Sequence, residues 1–488
     1  MHVGDLIRRA ARRFGDAPAI SCGAATMSFT EFDAQTDRLG NALLRRGLQP
    51  GDRVAVLLPN GIEGLVAYYA VAKSGLVRVP LNVRDTTEDH EYRLADSGSR
   101  ALITDRGTSG IVEMNIGLDE LEQLISDGSP APCDITRPAG SPYRLAYTGG
   151  TTGRPKAVML PERSEHAEVV NYLLDLVPDI RAGDVMLHAA PVTHASGSFF
   201  LPHLIRGAHN VVVPSFDPGT YLEALERTGA TATFLVPTML AMVLDDPCAA
   251  EVDARSLRRL CYGASPIAAS TVSRAERVFG RVLTQTYGQS EAPMTITLLR
   301  PEEHDRTGCA GRPYSMVEVR VVDEHDRPVE VGASGEVVAR GQILMSGYWG
   351  RPEETARTLR NGWLHTGDVG RLDAEGYLYL LDRMGDVIIS GGYNVYPREV
   401  EDCLLGHPAV REAAVVGVAD LTWGQRVQAV VATREPVEAH TLLTWAGDRL
   451  AGYKKPRRIS FRDELPKSSA GKILRRVVRD ELGGGDCV

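Results

Sequence analysis

Lysine is scarce in this chain of 488 residues, in which arginine supplies nearly all of the 54 basic side chains. Because arginine already provides the surface charge, a remaining lysine is a candidate for a role that needs a compact ammonium group. The basic residues form no long run, and the formal net charge is −9. Nucleic acid is therefore excluded as the main partner. The lysines are Lys73, Lys156, Lys454, Lys455, Lys467 and Lys472.

Cysteine is also scarce, and no two cysteines form a CxxC pair. This scatter argues against a zinc site and against a disulfide framework. It is typical of a protein from a reducing compartment, so we predict a cytoplasmic location. The cysteines are Cys22, Cys133, Cys248, Cys261, Cys309, Cys403 and Cys487.

Long apolar segments are missing as well. The first residues, MHVGDLIRRAARRFGDAPAI, contain arginines without an apolar stretch behind them, which predicts an amphipathic helix rather than a signal peptide. The most apolar run, LVPTMLAMVL at residues 235–244, contains a proline and is too short to cross a bilayer. The sequence therefore predicts no membrane span.

What the chain has instead is a series of apolar strands that alternate with helices. The strand VAVLL, the helix IEGLVAYYAVAKSG and the strand VRVPLN form one such unit, and similar units recur as far as TATFLVP. Strands that are apolar throughout and alternate with helices predict a parallel sheet that is covered on both faces. A chain of this length exceeds what one core serves, so we predict an α/β fold with more than one domain.

The pattern changes twice along the chain. After residue 312, VEVRVVDEHDRPVEVGASGEVVARG predicts a β-rich subdomain of short strands and turns. After Asp386 comes a compact α+β unit of about 100 residues, an ordinary size for a small domain. We predict a large N-terminal domain over 1–382, a hinge over 383–386 and a small, mobile C-terminal domain over 387–488.

The stretch YTGGTTGRPKAVML, residues 147–160, is a candidate phosphate loop. It is not a Walker A loop, because Pro155 precedes Lys156 and no hydroxyl follows, and it contains no GxGxxG pattern. Its glycines nevertheless allow backbone N–H groups to converge on an anion, although a flexible linker has a similar composition. The predicted phosphate-binding residues are Thr148, Gly149, Gly150, Thr151, Thr152, Gly153 and Lys156.

This loop resembles the phosphate loop of the acyl-adenylate-forming superfamily, which includes acyl-CoA synthetases, aryl-acid CoA ligases, firefly luciferase and nonribosomal adenylation domains. One such motif is weak, but six motifs in the family's order span most of this chain. The resemblance implies a reaction in which a carboxylate attacks the α-phosphate of ATP. The other motifs are YGASP at Tyr262, TYGQSEA at Thr286, WLHTGD at Trp363, DRMGDVIISGGYNVYPREVE at Asp382 and PKSSAGKILRR at Pro466.

The resemblance assigns roles to residues of these motifs. Lys472 is implied as the catalytic cation that bridges the carboxylate and the α-phosphate, a place where charge accumulates. Glu291 is implied as the Mg²⁺ ligand, with Thr148 as a second metal contact. Asp368 is implied to bind the ribose hydroxyls, and Arg383 a ribose or phosphate oxygen. The implied adenine and α-phosphate contacts are Gly263, Ala264, Ser265, Pro266, Tyr287, Gly288, Gln289 and Ser290, which replaces a usual threonine.

For the acid and for coenzyme A, the resemblance points to two further segments. His194 in APVTHASG is implied as a catalytic-site gate at the acyl pocket, and the small residues 195–197 after it predict a roomy pocket. No arginine or lysine is its neighbour in sequence, so a neutral aromatic or aliphatic acid is favoured over a dicarboxylate. Gly391, Gly392 and Tyr393 are implied as the pantetheine contacts of coenzyme A.

The sequence departs from the family pattern at two glycines. Gly149 stands where a serine is common, so one hydroxyl to the β- and γ-phosphates is missing. Gly385 stands at the hinge position, where aspartate or lysine is usual. Glycine makes rotation sterically easy and removes a side chain that would stabilise one conformation.

The leading hypothesis is an ATP- and Mg²⁺-dependent acid:CoA ligase that acts on a small-molecule carboxylic acid as a monomer or homodimer. A second hypothesis keeps the adenylation and sends the acyl group to a carrier-protein thiol, an amine or nitrite. A third is a nucleotide-binding protein without catalysis. The presence of Lys156, Glu291, Asp368 and Lys472 argues against the third.

Overall fold

The computed structural model describes residues 2–133, 135, 137–138, 140–148, 154–306, 308–468 and 471–483. Within these ranges no helix combines the length and the apolar character that crossing a bilayer requires. The helix expected at the N-terminus is present and amphipathic, with a buried face that includes Val3 and Ile7. Part of the predicted phosphate loop and one cysteine lie outside the described residues: Gly149, Gly150, Thr151, Thr152, Gly153 and Cys487.

Some helices of the described ranges begin where a side chain satisfies one of their first N–H groups. Ser28 and Thr86 each accept a hydrogen bond from the backbone of the first turn, and an acidic residue three positions on completes a capping box. The α-helices are α1 (Val3–Phe14), α2 (Phe29–Arg45), α3 (Ile62–Lys73), α4 (Thr87–Ser97), α5 (Leu118–Ser126), α6 (Glu162–Asn171), α7 (Phe200–Ile205), α8 (Pro218–Thr228), α9 (Pro237–Asp245), α10 (Ala269–Phe279), α11 (Pro352–Thr358), α12 (Pro397–Leu405), α13 (Ala439–Gly447) and α14 (Arg475–Gly483).

The strands follow the predicted apolar runs, and several are buried along their whole length. They are β1 (Pro18–Cys22), β2 (Ala25–Ser28), β3 (Arg53–Leu57), β4 (Val77–Pro80), β5 (Ala101–Thr104), β6 (Met114–Ile116), β7 (Pro142–Tyr147), β8 (Ala157–Pro161), β9 (Val185–His188), β10 (His209–Val212), β11 (Ala232–Leu235), β12 (Arg259–Gly263), β13 (Leu283–Gln289), β14 (Ala292–Leu299), β15 (Cys309–Pro313), β16 (Val317–Val322), β17 (Gly335–Gly341), β18 (Gly347–Tyr348), β19 (Leu359–Arg360), β20 (Trp363–Leu372), β21 (Leu378–Arg383), β22 (Ile388–Ser390), β23 (Tyr393–Val395), β24 (Val410–Asp420), β25 (Gly424–Thr433) and β26 (Arg458–Phe461).

The largest sheet has the order β16-β17-β20-β21-β15-β14-β13-β12-β11-β9-β10-β1-β2, with β19 beside β20. Its pairs from β1 through β10, β9, β11 and β12 to β13 are parallel, as predicted. From β13 to β16 every pair is antiparallel. The predicted β-rich subdomain is therefore not a detached layer, because β14 pairs with β13 on one edge and with β15 on the other.

A second sheet has the order β18-β8-β7-β4-β3-β5-β6, and its central pairs are parallel. Apolar side chains of α1, α2, α3 and α7 fill the space between the two sheets. The strand–helix–strand unit predicted from VAVLL to VRVPLN is confirmed as β3, α3 and β4.

The C-terminal part has its own sheet, in which β22, β24 and β26 all pair with β25 and β23 extends β22. Helices α12 and α13 pack on one face of this sheet, and residues of α14 pack on the other. The predicted α+β unit is confirmed, with its own hydrophobic core.

Candidate active site

The glycine-rich loop leaves and rejoins the second sheet at a closed base. The backbone N–H of Thr148 donates to the carbonyl of Lys156 at 3.0 Å, and the N–H of Lys156 donates to Thr148 Oγ1 at 3.3 Å. The Lys156 ammonium forms an ion pair with Glu354 and lies 5.3 Å from the centroid of the Tyr348 ring. The Lys156 ammonium is thus held by Glu354 and Tyr348 at the base of the loop.

Two motifs meet where parallel strands β12 and β13 end, the edge at which ligand sites of α/β sheets open. A Cβ on Gly263 would lie 2.4 Å from the carbonyl oxygen of Thr286, and one on Gly288 would lie 2.5 Å from the backbone nitrogen of Met294. Ala264 follows in the left-handed region at φ 71°. Backbone packs directly on backbone here, so YGASP and TYGQSEA form one rigid wall.

We expect Gly288→Ala to lower the free energy of unfolding by about 1–3 kcal/mol, because overpacking forces the strands apart. Urea unfolding followed by fluorescence measures this change. Gly385→Ala is the matched control, since a Cβ there has no atom within 4 Å. Equal unfolding midpoints for the two variants would contradict the close packing of this wall.

Asp368 on β20 is the meeting point of three sequence motifs. The carboxylate is 7% exposed. Its Oδ2 accepts hydrogen bonds from the Tyr287 hydroxyl at 2.5 Å and from Gln289 Nε2 at 2.7 Å. Its Oδ1 pairs with Arg383 Nε at 2.6 Å. Burial raises the pKa of Tyr287 and Asp368 raises it further, so the phenol stays a neutral donor. The carboxylate is therefore oriented by three donors.

Lys472 lies on a short hairpin that docks on the N-terminal part of the chain. The N–H of Ser468 donates to the Lys472 carbonyl at 2.8 Å, and the N–H of Lys472 donates to Ser468 Oγ at 3.2 Å. A Cβ on Gly471 would lie 2.9 Å from Thr238 Oγ1 at the start of α9. The C-terminal part thus presents Lys472 to the wall described above.

The charges around Lys472 come from the N-terminal part of the chain and from Arg383 at the predicted hinge. Partial removal from water lowers the pKa of Lys472 and Arg383 lowers it further, whereas Asp368 and Glu291 act in the opposite direction. The side chain still touches solvent, as expected in an open cleft. Glu291 Oε1 accepts a hydrogen bond from the Tyr348 hydroxyl at 2.8 Å. Lys472 and Arg383 thus share one cleft with the carboxylates of Asp368 and Glu291.

The residues present fit a magnesium ion that is bound together with phosphates. No group of three or more histidine, cysteine, aspartate or glutamate side chains in the described ranges is placed to hold a metal alone. Mg²⁺ in nucleotide sites needs only one or two carboxylates, because phosphates and water supply its other ligands. Glu291 fits this requirement from the protein side, and the metal contact predicted for Thr148 stays a prediction.

His194 lies directly before the turn Ala195–Phe199. Its Nδ1 lies 2.8 Å from Thr193 Oγ1. Partial burial lowers the pKa of His194 to about 4; Asp85 opposes this effect, and the charges of Arg93 and Lys472 add to it. The fold thus brings Arg93 and Lys472, which are distant in sequence, near His194.

A lowered pKa makes the imidazole neutral at physiological pH, so we expect no break in the pH–rate profile near 6.5 from His194. The depressed value means that the neutral form persists until the pH falls to about 4. Acid-dependent pyrophosphate release measured from pH 5 to 9 for wild type and His194→Asn tests this. A break near 6.5 that disappears in the variant would show that the imidazole titrates there.

Sequence reasoning missed the ion cluster at the foot of the C-terminal part. Arg475 Nη1 pairs with Asp382 Oδ1 at 2.6 Å and with Asp386 Oδ2 at 3.4 Å, and Arg475 Nη2 pairs with Glu401 Oε2 at 2.5 Å. Arg479 also pairs with Asp386, at 2.7 Å. These carboxylates raise the pKa of Arg475 against the effect of burial. The arginines of GKILRR were the available signal, but their partners are distant in sequence.

The residues predicted to contact pantetheine are not part of this cleft. Gly391 and Gly392 form the turn between β22 and β23 with positive φ, and the N–H of Gly391 donates to the carbonyl of Trp423 at 2.9 Å. Tyr393 stacks on Tyr453 with a centroid distance of 4.8 Å. These contacts lie within the C-terminal part, whereas Lys472, His194, Glu291, Tyr287, Gln289, Asp368 and Arg383 are brought together.

Comparisons with known proteins match two family models to this chain. The model of the family described as AMP-binding enzyme matches residues 7–349, and that of the AMP-binding enzyme C-terminal domain matches residues 399–472. The chain is 39% identical to a feruloyl-CoA synthase of an Amycolatopsis species, over 99% of both chains. It is 36% identical to a medium/long-chain-fatty-acid–CoA ligase of Mycobacterium tuberculosis, over 99% of this chain and 90% of the relative.

A similar solved structure is the o-succinylbenzoate–CoA synthetase of Bacillus subtilis. Its complex with the acyl-adenylate intermediate has a TM-score of 0.88 at 32% identity, over 97% of this chain and 98% of that one. Its complex with ATP and a magnesium ion has a TM-score of 0.87 at 32% identity, over 96% and 98% of the two chains.

Proposed function

Because this chain belongs to the AMP-binding enzyme family, we propose that it converts an aromatic acid of the cinnamate type to its CoA thioester. It is an AMP-forming acid–thiol ligase, whose substrates are ATP, a carboxylic acid and CoA. The similarity to feruloyl-CoA synthase over nearly the whole chain supports an aromatic acid. The observation that carries the proposal is the convergence of Lys472, Glu291 and Asp368 in one cleft.

In the first half-reaction, a carboxylate oxygen attacks the α-phosphorus and the bond to the bridging oxygen of the β-phosphate breaks. Two anions must approach, so the cleft has to supply positive charge at the α-phosphate. We assign this role to Lys472, with Ser290 as a hydroxyl donor, and the β- and γ-phosphates to the loop that ends at Lys156. Glu291 would hold Mg²⁺, which would neutralise phosphate charge when bound. Asp368 and Arg383 hold the ribose.

In the second half-reaction, the thiol of CoA attacks the acyl carbon and AMP leaves. We propose that the domain over 387–488 rotates about the hinge 383–386 relative to the domain over 1–382 before this step. Two observations support the rotation: the C-terminal sheet begins at Ile388, and the Gly391–Gly392 turn contacts only C-terminal residues in the contacts described above. In this rotation Lys472 leaves the cleft, and the Gly391–Gly392 turn takes its place.

A pyrophosphate-release screen tests the proposed function. Cinnamates, benzoates and fatty acids of graded length are supplied with ATP and Mg²⁺, with and without CoA, and the thioester is detected by mass spectrometry. We expect cinnamates to give the highest kcat/KM and to consume one CoA per pyrophosphate. Release without CoA consumption would point to another acceptor, such as a carrier-protein thiol, an amine or nitrite. A preference for long fatty acids would overturn the choice of acid.

We also propose a cytoplasmic location and a monomeric or homodimeric state. Among the described residues, Cys22, Cys248, Cys261, Cys309 and Cys403 are free thiols, which supports a reducing compartment. Size-exclusion chromatography with light scattering measures the state, and a mass above that of two chains would contradict this proposal.

A further inference from the structure

The segment 345–349 joins the two sheets of the N-terminal part beside the cleft. Its strand β18 pairs antiparallel with β8, which begins directly after Lys156. At the other end of the segment, the N–H of Met345 donates to the carbonyl of Glu291 at 2.9 Å, directly before β14 begins. The base of the phosphate loop and the carboxylate that fits magnesium are therefore attached to one short piece of backbone.

Tyr348 lies in this segment and contacts both charged groups with its side chain. Its hydroxyl donates to Glu291 Oε1 at 2.8 Å, and the centroid of its ring lies 5.3 Å from Lys156 Nζ. A cation at this distance from a tyrosine ring is attracted by the π system. The hydrogen bond orients the carboxylate through one oxygen and leaves Oε2 for another partner. One side chain, 7% exposed, thus sets the spacing between an ammonium group and a carboxylate.

Tyr348 is itself held by the residues at the start of α11. Its N–H donates to Thr355 Oγ1 at 2.9 Å, and Thr355 Oγ1 donates to the carbonyl of Arg351 at 2.8 Å. A Cβ on Gly347, whose φ is 142°, would lie 2.6 Å from Thr355 Cγ2. These contacts fix the backbone of β18, so the side chain of Tyr348 is anchored both at its backbone and at its hydroxyl.

The two groups that Tyr348 joins act on the same part of the nucleotide. In the proposed function, the loop that ends at Lys156 contacts the β- and γ-phosphates, and Glu291 would hold the Mg²⁺ that binds these phosphates. The ammonium group and the carboxylate must therefore stand at a separation that suits one pyrophosphate group. A misplacement of about 1 Å caused by a distant side chain can lower a rate by about 10²-fold. A residue that fixes this separation thus contributes without touching the nucleotide.

We propose that Tyr348 is a positioning residue that couples the phosphate loop to Glu291, so that the chain binds the pyrophosphate end of ATP and its magnesium ion as one unit. This inference rests on the proposed function and concerns a residue to which no motif assigned a role. Loss of the hydroxyl should weaken the binding of ATP in the presence of Mg²⁺. AMP has no β- and γ-phosphates, so its binding should not change. A role in folding alone would weaken the binding of both nucleotides.

Calorimetric titration of Tyr348→Phe tests the coupling, because ATP is bound but not consumed when no acid is present. With Mg²⁺, we expect the dissociation constant for ATP to rise by about tenfold, the equivalent of one hydrogen bond to a charged group. With EDTA in place of Mg²⁺, wild type and variant should bind ATP with equal affinity, since the aromatic ring beside Lys156 is retained. The dissociation constant for AMP should be equal in the two proteins under both conditions.

Tyr377→Phe is the matched control, because Tyr377 makes the same kinds of contact at a different place. Its hydroxyl donates to Glu303 Oε1 at 2.8 Å, the Arg306 guanidinium lies 4.0 Å from its ring centroid, and its side chain is 6% exposed. It lies in the turn between β20 and β21, and neither of these partners belongs to the cleft. We expect this variant to keep the wild-type dissociation constants for ATP with Mg²⁺ and with EDTA.

A double-mutant cycle measures whether Tyr348 acts through the carboxylate. In a Glu291→Gln background, Tyr348→Phe should change the affinity for ATP with Mg²⁺ much less than it does in the wild type, because the two residues contribute as a pair. Additive losses in the double variant would show that the two side chains act independently, and they would overturn the coupling.

Equal affinity of the wild type and Tyr348→Phe for ATP with Mg²⁺ would overturn the inference and leave the proposed function intact. The same conclusion would follow if Tyr348→Phe lost affinity for AMP, or lost as much affinity for ATP with EDTA as with Mg²⁺, because either result indicates general damage to the cleft. A wild-type protein that binds neither ATP nor AMP would overturn the proposed function and the inference together.

Discussion

Lys472→Ala is expected to lower acid-dependent ATP–pyrophosphate exchange by about 10²- to 10³-fold, the usual effect of losing one group that stabilises transition-state charge. The ammonium faces Glu291, Asp368 and Arg383 in the cleft, and its docking depends on backbone contacts that the substitution leaves in place. The unfolding midpoint should therefore stay within a degree or two of wild type, because exposed substitutions change stability little.

The control for this prediction is Lys467→Ala. Lys467 lies on the same hairpin, where it pairs with Glu412 and Glu464 outside the cleft. Exchange should persist in this variant. When a preformed acyl-adenylate is supplied, Lys472→Ala should still make the thioester, since the lysine acts on the α-phosphate step. Exchange at the wild-type rate in Lys472→Ala would remove the catalytic assignment.

Asp368→Asn is expected to lower kcat/KM for ATP by about 10²-fold, the equivalent of losing two hydrogen bonds to a charged group. The carboxylate accepts from Tyr287, Gln289 and Arg383, and an amide nitrogen in its place would face donors. Both the orientation of the cluster and the acceptor for the ribose hydroxyls are lost. Because the loss is in nucleotide binding, KM for ATP should carry much of the change.

Thermal shift with AMP gives a readout for Asp368 that does not depend on turnover. Saturating AMP should raise the melting temperature of the wild type and of Asp253→Asn, and fail to raise that of Asp368→Asn. Asp253 suits the control because it lies in a loop and pairs only with exposed Arg255 in the contacts described. Normal stabilisation of Asp368→Asn by AMP would contradict a role in binding the ribose.

The regular elements were predictable because their signals are local. The strand VAVLL, the helix after it and the helix REVEDCLLGHP appear as β3, α3 and α12, with ends that differ by a few residues. The continuity of the large sheet was not predictable, because the pairing of β14 with both β13 and β15 joins segments whose patterns differ. Which strands pair with each other depends on tertiary packing rather than on the periodicity of the sequence.

The site shows the same division between local and long-range information. Motifs identified Lys472, Asp368 and Glu291 one by one, but Tyr348, which donates to Glu291, carries no motif. In the segment ERSEHAEVVN, Glu168 resembles a solvated residue of a polar helix. Its burial arises because β14, β8 and β7 pack against α6. The sequence of a helix does not indicate which other elements pack against it.

The ion cluster of Arg475 determines how freely the proposed C-terminal domain can leave its present position. On the proposed boundaries, Asp382 belongs to the stationary side and Asp386 to the hinge, whereas Glu401 travels with the arginine. Rotation therefore separates the guanidinium from Asp382, while Glu401 stays with it. The guanidinium therefore keeps a carboxylate partner throughout the cycle, so release of the domain does not leave Arg475 as an unpaired charge.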